Sequence, residues 1–155
     1  MPSSSVFRKA LLFESFANLV GGSGMILAPT TFLRFLLQPT VLATPLAVQL
    51  TQWLGGIVLA LNTPLLLAYP DTPRAIASRP IAYWTLAAGE VALLGVMGLQ
   101  MLKPGVMEAQ NVLTERAMAA TWLVLGSTLA WRLYVLLVKP EMMGTVTGLN
   151  DKRAQ

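Results

Sequence analysis

The chain has 155 residues, 55% hydrophobic and 12% charged, with a formal charge of +4 and neither cysteine nor histidine. Soluble domains carry about a quarter charged residues, so this chain has too few charges to cover a soluble surface of its size. The missing thiols and imidazoles exclude disulfides, thiolate clusters, the commonest general base and the usual haem and zinc ligands; no cofactor or metal is expected, because the few acids are scattered.

A transmembrane helix needs about 20 mostly apolar residues, and four segments qualify. The first runs from Phe7 to Ala28 and contains Glu14, Asn18 and a glycine cluster. Arg8 and Lys9 resemble the n-region of a signal peptide, but Glu14 and Asn18 interrupt the apolar run and argue against cleavage. Residues 29–45, "PTTFLRFLLQPTVLATP", are too short to span. They are expected to lie partly at the interface, with Arg34 snorkelling. The second span runs from Leu46 to Ala68, and Pro64 within it predicts a kink that neighbouring helices can tolerate. The linker "YPDTPRAIASRP" leads to the third span, Pro80 to Leu102. The linker "KPGVMEAQNVLTER" leads to the fourth, Ala117 to Val138, and residues 141–155 read as a polar tail. The sequence therefore predicts a single all-α domain, an integral membrane antiparallel four-helix bundle.

Four spans place both termini and the second linker on one side. That side holds Arg8, Lys9, Arg74, Arg79, Lys139, Lys152 and Arg153, against Arg34, Lys103 and Arg116 on the other. The excess favours both termini in the cytosol. Because these cations sit singly between apolar runs, the expected partner is the lipid bilayer and not a nucleic acid. A homo-oligomer or a partner membrane protein stays open.

Each span carries one strongly polar residue in the same half of the membrane. At 1.5 Å rise per residue, Glu90 lies roughly 1–2 Å from the middle of its span and Glu14 roughly 4–5 Å, while Asn62 and Arg132 lie roughly 7–8 Å away. An ionisable group in hydrocarbon costs at least about 2.5–3.5 kcal/mol, so it faces the bundle interior and seeks a partner. Arg132 is the natural partner for Glu90, with Glu14 and Asn62 completing the network and Trp131 lining a pocket beside it. The glycines Gly21, Gly22, Gly24, Gly55, Gly56, Gly89, Gly95 and Gly98 read as close-packing positions. Gln49 and Gln52 share a helix face in the other half and are placed at an opposite cavity mouth. Tyrosines and tryptophans near span ends, Tyr83 among them, read as interfacial anchors.

With "GMILAP" closing the first span, "WLGGIVLALN" in the second and "AAGEVALLG" in the third, the chain resembles the DoxX-like families of small four-helix membrane proteins over roughly residues 10–105. The resemblance implies an antiparallel four-helix bundle and little about activity. Members linked to quinone or sulfur redox need redox groups, and the absence of Cys and His puts that role in doubt.

Three functional readings follow. The first is a protein holding a lipophilic small molecule at Glu14, Asn62, Glu90, Arg132 and Trp131, accessory to a membrane-associated biosynthetic pathway. The second is a membrane cyclase or isomerase with Glu90 as its catalytic general acid. The third is a structural or assembly subunit whose polar layer fixes helix register and holds no ligand.

Overall fold

The computed structural model describes residues 3–102 and 113–144. Five α-helices dominate these residues: α1, Ser3–Leu27; α2, Pro29–Leu36; α3, Pro45–Ala68; α4, Pro73–Leu102; and α5, Glu115–Leu133. α5 widens into a π-helical turn, Tyr134–Val138, and a 3₁₀ turn follows at Pro140–Met143. Among the described residues, four segments are long and apolar enough to cross a membrane: Ser5–Leu27, Pro45–Ala68, Pro73–Leu99 and Glu115–Val138.

The helix starts follow local chemistry. Thr44 caps α3 by accepting from the Ala47 amide (3.2 Å), and Pro45 occupies the first turn, where its missing N–H costs nothing. Thr114 caps α5 through the Ala117 amide (3.1 Å), with Glu115 favourably placed in the first turn. Thr72 accepts from the Ala75 amide (3.2 Å) directly before Pro73. For that reason α4 begins at Pro73, inside the segment expected to be a linker, and Pro80 falls within the helix instead of opening it. Pro64 likewise lies inside an uninterrupted α3.

Among the described residues, large apolar side chains lie on the outside while four charged ones are buried within. Phe13, Leu27, Phe35, Leu42 and Leu123 are each more than 70% exposed, whereas Glu14, Asn62, Arg79, Glu90 and Arg132 are buried. Soluble monomers rarely expose so much contiguous apolar surface.

The tightest helix contact joins α1 to α3. A Cβ on Gly55 would stand 2.7 Å from the Gly22 carbonyl oxygen, and one on Gly22 would stand 3.0 Å from the Gly55 oxygen. Only glycine allows this approach. Gly21, Gly24, Gly56, Gly89, Gly95 and Gly98 face open space, so the close-packing role expected for all eight belongs to these two.

A hydrophobic cluster of Phe7, Leu11, Leu65, Ala68, Tyr83 and Val135, with Met143, lies where α1 starts and α3 ends. Arg79, fully buried, ties that end together. Its Nε donates to the Ala68 carbonyl (2.8 Å) and its Nη1 to the Met143 carbonyl (2.5 Å). Its Nη2 donates to the carbonyls of Tyr69 (3.3 Å) and Pro70 (3.0 Å) and to Asp71 (2.9 Å). These acceptors include carbonyls that the end of α3 leaves without helical partners. Asp71 also pairs with Arg8 at 2.8 Å. Arg79, counted from the sequence among the cations of the terminal side, is thus a structural tie within the fold. Gly144 adopts φ +87°, and a Cβ there would stand 3.2 Å from Arg79 Nη1.

At the opposite end, α2 is anchored to the start of α5. The Thr114 amide donates to the Leu36 carbonyl (2.8 Å), and Leu37 and Leu113 form an isolated antiparallel bridge. Gln52 Nε2 donates to the Ile26 carbonyl (3.1 Å), which fastens the start of α3 to the end of α1. The expected polar tail begins as the packed 3₁₀ turn, with Met143 buried; residues 145–155, and 103–112 of the last linker, lie outside the described residues.

Candidate functional site

The site grows from three helix faces. On α4, Arg79, Tyr83, Leu86, Ala87 and Glu90 recur at three- and four-residue steps, which puts them on one stripe, and all five are buried. Phe7, Leu11 and Glu14 form the matching buried stripe of α1. α5 contributes Arg132, in its last turn. Where the stripes converge, Arg132 Nη2 donates to Glu14 Oε2 at 2.8 Å, and Nη1 donates to Glu90 Oε1. Arg132 is 4% exposed, Glu90 8% and Glu14 9%. One guanidinium therefore serves two carboxylates on two other helices, a use of the planar fork that lysine cannot reproduce.

The ion layer is braced by aromatics. The Arg132 guanidinium carbon stands 5.6 Å from the centroid of the Tyr83 ring, within cation–π range. Trp131 Nε1 donates to the Tyr83 hydroxyl at 3.3 Å, and Phe7 meets the Tyr83 ring edge-on, with centroids 5.1 Å apart. Tyr83 was expected at the membrane interface and is instead buried against the site. The signal that places it there is its spacing, seven residues before Glu90 on the same helix face.

A groove of about 590 Å³ opens between α1 and α5 over this layer. Val6, Ala10, Phe13, Ala17, Val124 and Leu125 contribute its apolar walls, and Glu14, Glu90 and Arg132 line it, with Trp131 alongside. Glu90 Oε2 and Arg132 Nε are buried with no hydrogen-bond partner among the described residues. Buried polar atoms are nearly always satisfied, so the bonding of the layer is incomplete at these two atoms, as it is at Arg8 Nε and Asn62 Oδ1 away from the groove.

Of the five residues expected to meet, the structure brings Glu14, Glu90, Arg132 and Trp131 to one groove. Asn62 is buried on α3 but does not line it, and its Oδ1 has no partner among the described residues. Gln49 and Gln52 line neither of the two cavities described in this section. The second, of about 460 Å³, lies between α2 and α5 and shares Val124 and Leu125 with the first. Among the described residues, no cluster of three metal-ligating side chains forms. Comparison with protein-family models, curated proteins and solved structures found no match.

Proposed function

We propose that this is a multi-pass membrane protein, an antiparallel four-helix bundle of DoxX-like type with both termini in the cytosol, whose α1–α5 groove holds a lipophilic small molecule. The observation that carries this reading is the unpartnered, buried Glu90 Oε2 beside apolar groove walls. Ligand sites combine such walls with a few well-placed polar groups. The exposed large apolar side chains and the buried charges support insertion in a bilayer, where intramembrane charges pair with one another and mark functional sites. Without Arg79, the cation count still favours cytosolic termini.

The geometry supports binding over the alternatives. A general-acid role would need a proton on Glu90, and its pairing with Arg132 supplies none. A purely structural layer gains nothing from leaving polar atoms unpartnered next to a groove.

The test is native mass spectrometry with lipid extraction on the gently purified wild type and on Glu90→Gln. A specific lipophile retained by the wild type and absent from a folded Glu90→Gln protein is the expected result. No specific lipophile on either protein would overturn the reading in favour of a structural layer.

A further inference from the structure

The groove's charges and shape narrow the ligand. Building on the binding reading above, we propose that the groove takes a long-chain amine cation, with its ammonium at the Glu14–Arg132–Glu90 layer and its tail along α5.

Four charged side chains line the groove: Lys9, Glu14, Glu90 and Arg132. Lys9 is exposed, where water and salt screen it. The three buried groups are two carboxyls and one guanidinium, so with both carboxyls ionised the layer is one positive charge short, a place that a bound cation fills. Glu90 Oε2 is buried and unpartnered; a group that donates a hydrogen bond and carries one positive charge, met by a turn of the Glu90 carboxylate toward the groove, completes both the bonding and the charge balance. A carboxylate or phosphate head would add like charge to the layer. Arg132 Nε, the other unpartnered atom, is a donor; a hydroxyl next to the ammonium would meet it.

The tail also has apolar surface to follow. The two cavities share Val124 and Leu125, and the second extends along α5 to Ala117 and Arg116. From Arg132 to Ala117 the helix rises about 22 Å at 1.5 Å per residue, enough for a long alkyl chain. Phe35 and Leu36 of α2 line the far end, which gives the short helix a place in the same site.

Trp131 lines the groove and serves as the reporter, while Trp53, Trp84 and Trp122 are exposed. A full-length protein carrying Trp53→Phe, Trp84→Phe and Trp122→Phe is placed in phosphatidylcholine nanodiscs and titrated with three quenchers of one chain length, brominated mid-chain so that the bromine stays near the head group and hence near Trp131: 6-bromoundecylamine, 6-bromoundecanol and 6-bromoundecanoate. Saturable quenching by the amine is expected, at an affinity at least tenfold above that of the alcohol, with the carboxylate weakest. Glu14→Gln removes the buried negative excess and is expected to bring amine and alcohol within about twofold of each other.

Equal or tighter binding of the alcohol overturns the amine assignment and leaves the groove as a site for neutral lipophiles; that result also follows if a proton on one carboxyl balances the layer. Saturable quenching by none of the three overturns the groove reading itself. If Glu14→Gln does not fold, the ranking of the three quenchers on the unsubstituted layer decides.

Discussion

Glu14 on α1 and Glu90 on α4 are joined through a single guanidinium, with Arg132 Nη2 on one and Nη1 on the other. The consequence is strong coupling. Removing one member of a buried ion pair leaves the other charge without compensation and costs about 3–5 kcal/mol. Arg132→Met strands two carboxylates and is expected to cost at least that much. The triple variant Glu14→Gln, Glu90→Gln, Arg132→Met removes all charge and should recover most of the loss, because a neutral layer avoids the desolvation cost of ions. Unfolding free energies from denaturing-detergent titration check this; a triple variant as unstable as the sum of the three single ones would contradict the coupling.

Arg79 and Asp71 share an ion pair at 2.9 Å, yet their substitutions are expected to differ. The Arg79 side chain is fully buried and also donates to four backbone carbonyls, whereas that of Asp71 is 41% exposed. Arg79→Ala leaves those buried acceptors unpaired and should cost more than about 3 kcal/mol. Asp71→Asn keeps an acceptor oxygen for Arg79 Nη2 and leaves the four carbonyls in place, but takes the counter-charge from a buried guanidinium; it should cost less than Arg79→Ala and more than the about 0.2–1 kcal/mol of an exposed pair. Hydrogen exchange at the Met142 and Gly144 amides, which close the 3₁₀ turn, gives a local readout: fast exchange in Arg79→Ala and exchange closer to native in Asp71→Asn.

The four long apolar helices and the Glu14–Glu90–Arg132 meeting were legible in the sequence, because long apolar runs set the helices and a charge within such a run demands a partner. The role of Arg79 was not. Its acceptors are main-chain carbonyls, which leave no mark in the sequence, and a proline follows it and reads as a helix start. Tyr83 was misplaced because aromatic residues near a span end carry two meanings; extending α4 back to Pro73 moves Tyr83 inward and resolves them. Asn62 shared the right depth with the other three, but depth says nothing of which way a side chain faces around its helix.

Tyr83 offers a test of how the aromatics brace the site. Tyr83→Phe keeps the ring under Arg132 and against Phe7 but removes the acceptor for Trp131 Nε1. The expected cost is about 0.5–1.5 kcal/mol, the worth of one hydrogen bond. Tyr83→Leu loses the cation–π and edge-on contacts as well and should cost clearly more. In the single-tryptophan protein, a shift of Trp131 emission in Tyr83→Phe checks the bond directly; an unchanged spectrum would show that the indole does not use this acceptor.

Gly55 and Gly56 are adjacent on α3 but should respond to alanine with opposite sign. A methyl on Gly55 would stand 2.7 Å from the Gly22 carbonyl oxygen and 2.8 Å from Met25 Cβ, so α1 and α3 must part to admit it. Overpacking of this kind costs about 1–3 kcal/mol. A methyl on Gly56 meets nothing within 4 Å, and alanine is better than glycine in a helix interior by roughly 0.5–1 kcal/mol. Gly55→Ala should therefore destabilise the fold while Gly56→Ala leaves it unchanged or more stable, as read from detergent unfolding. The same separation of α1 from α3 would displace Glu14 from Arg132, so Gly55→Ala should also weaken quenching of Trp131 by the long-chain amine, although position 55 lies outside the groove. Equal effects of the two substitutions would mean that α1 and α3 do not pack through the Gly22–Gly55 contact.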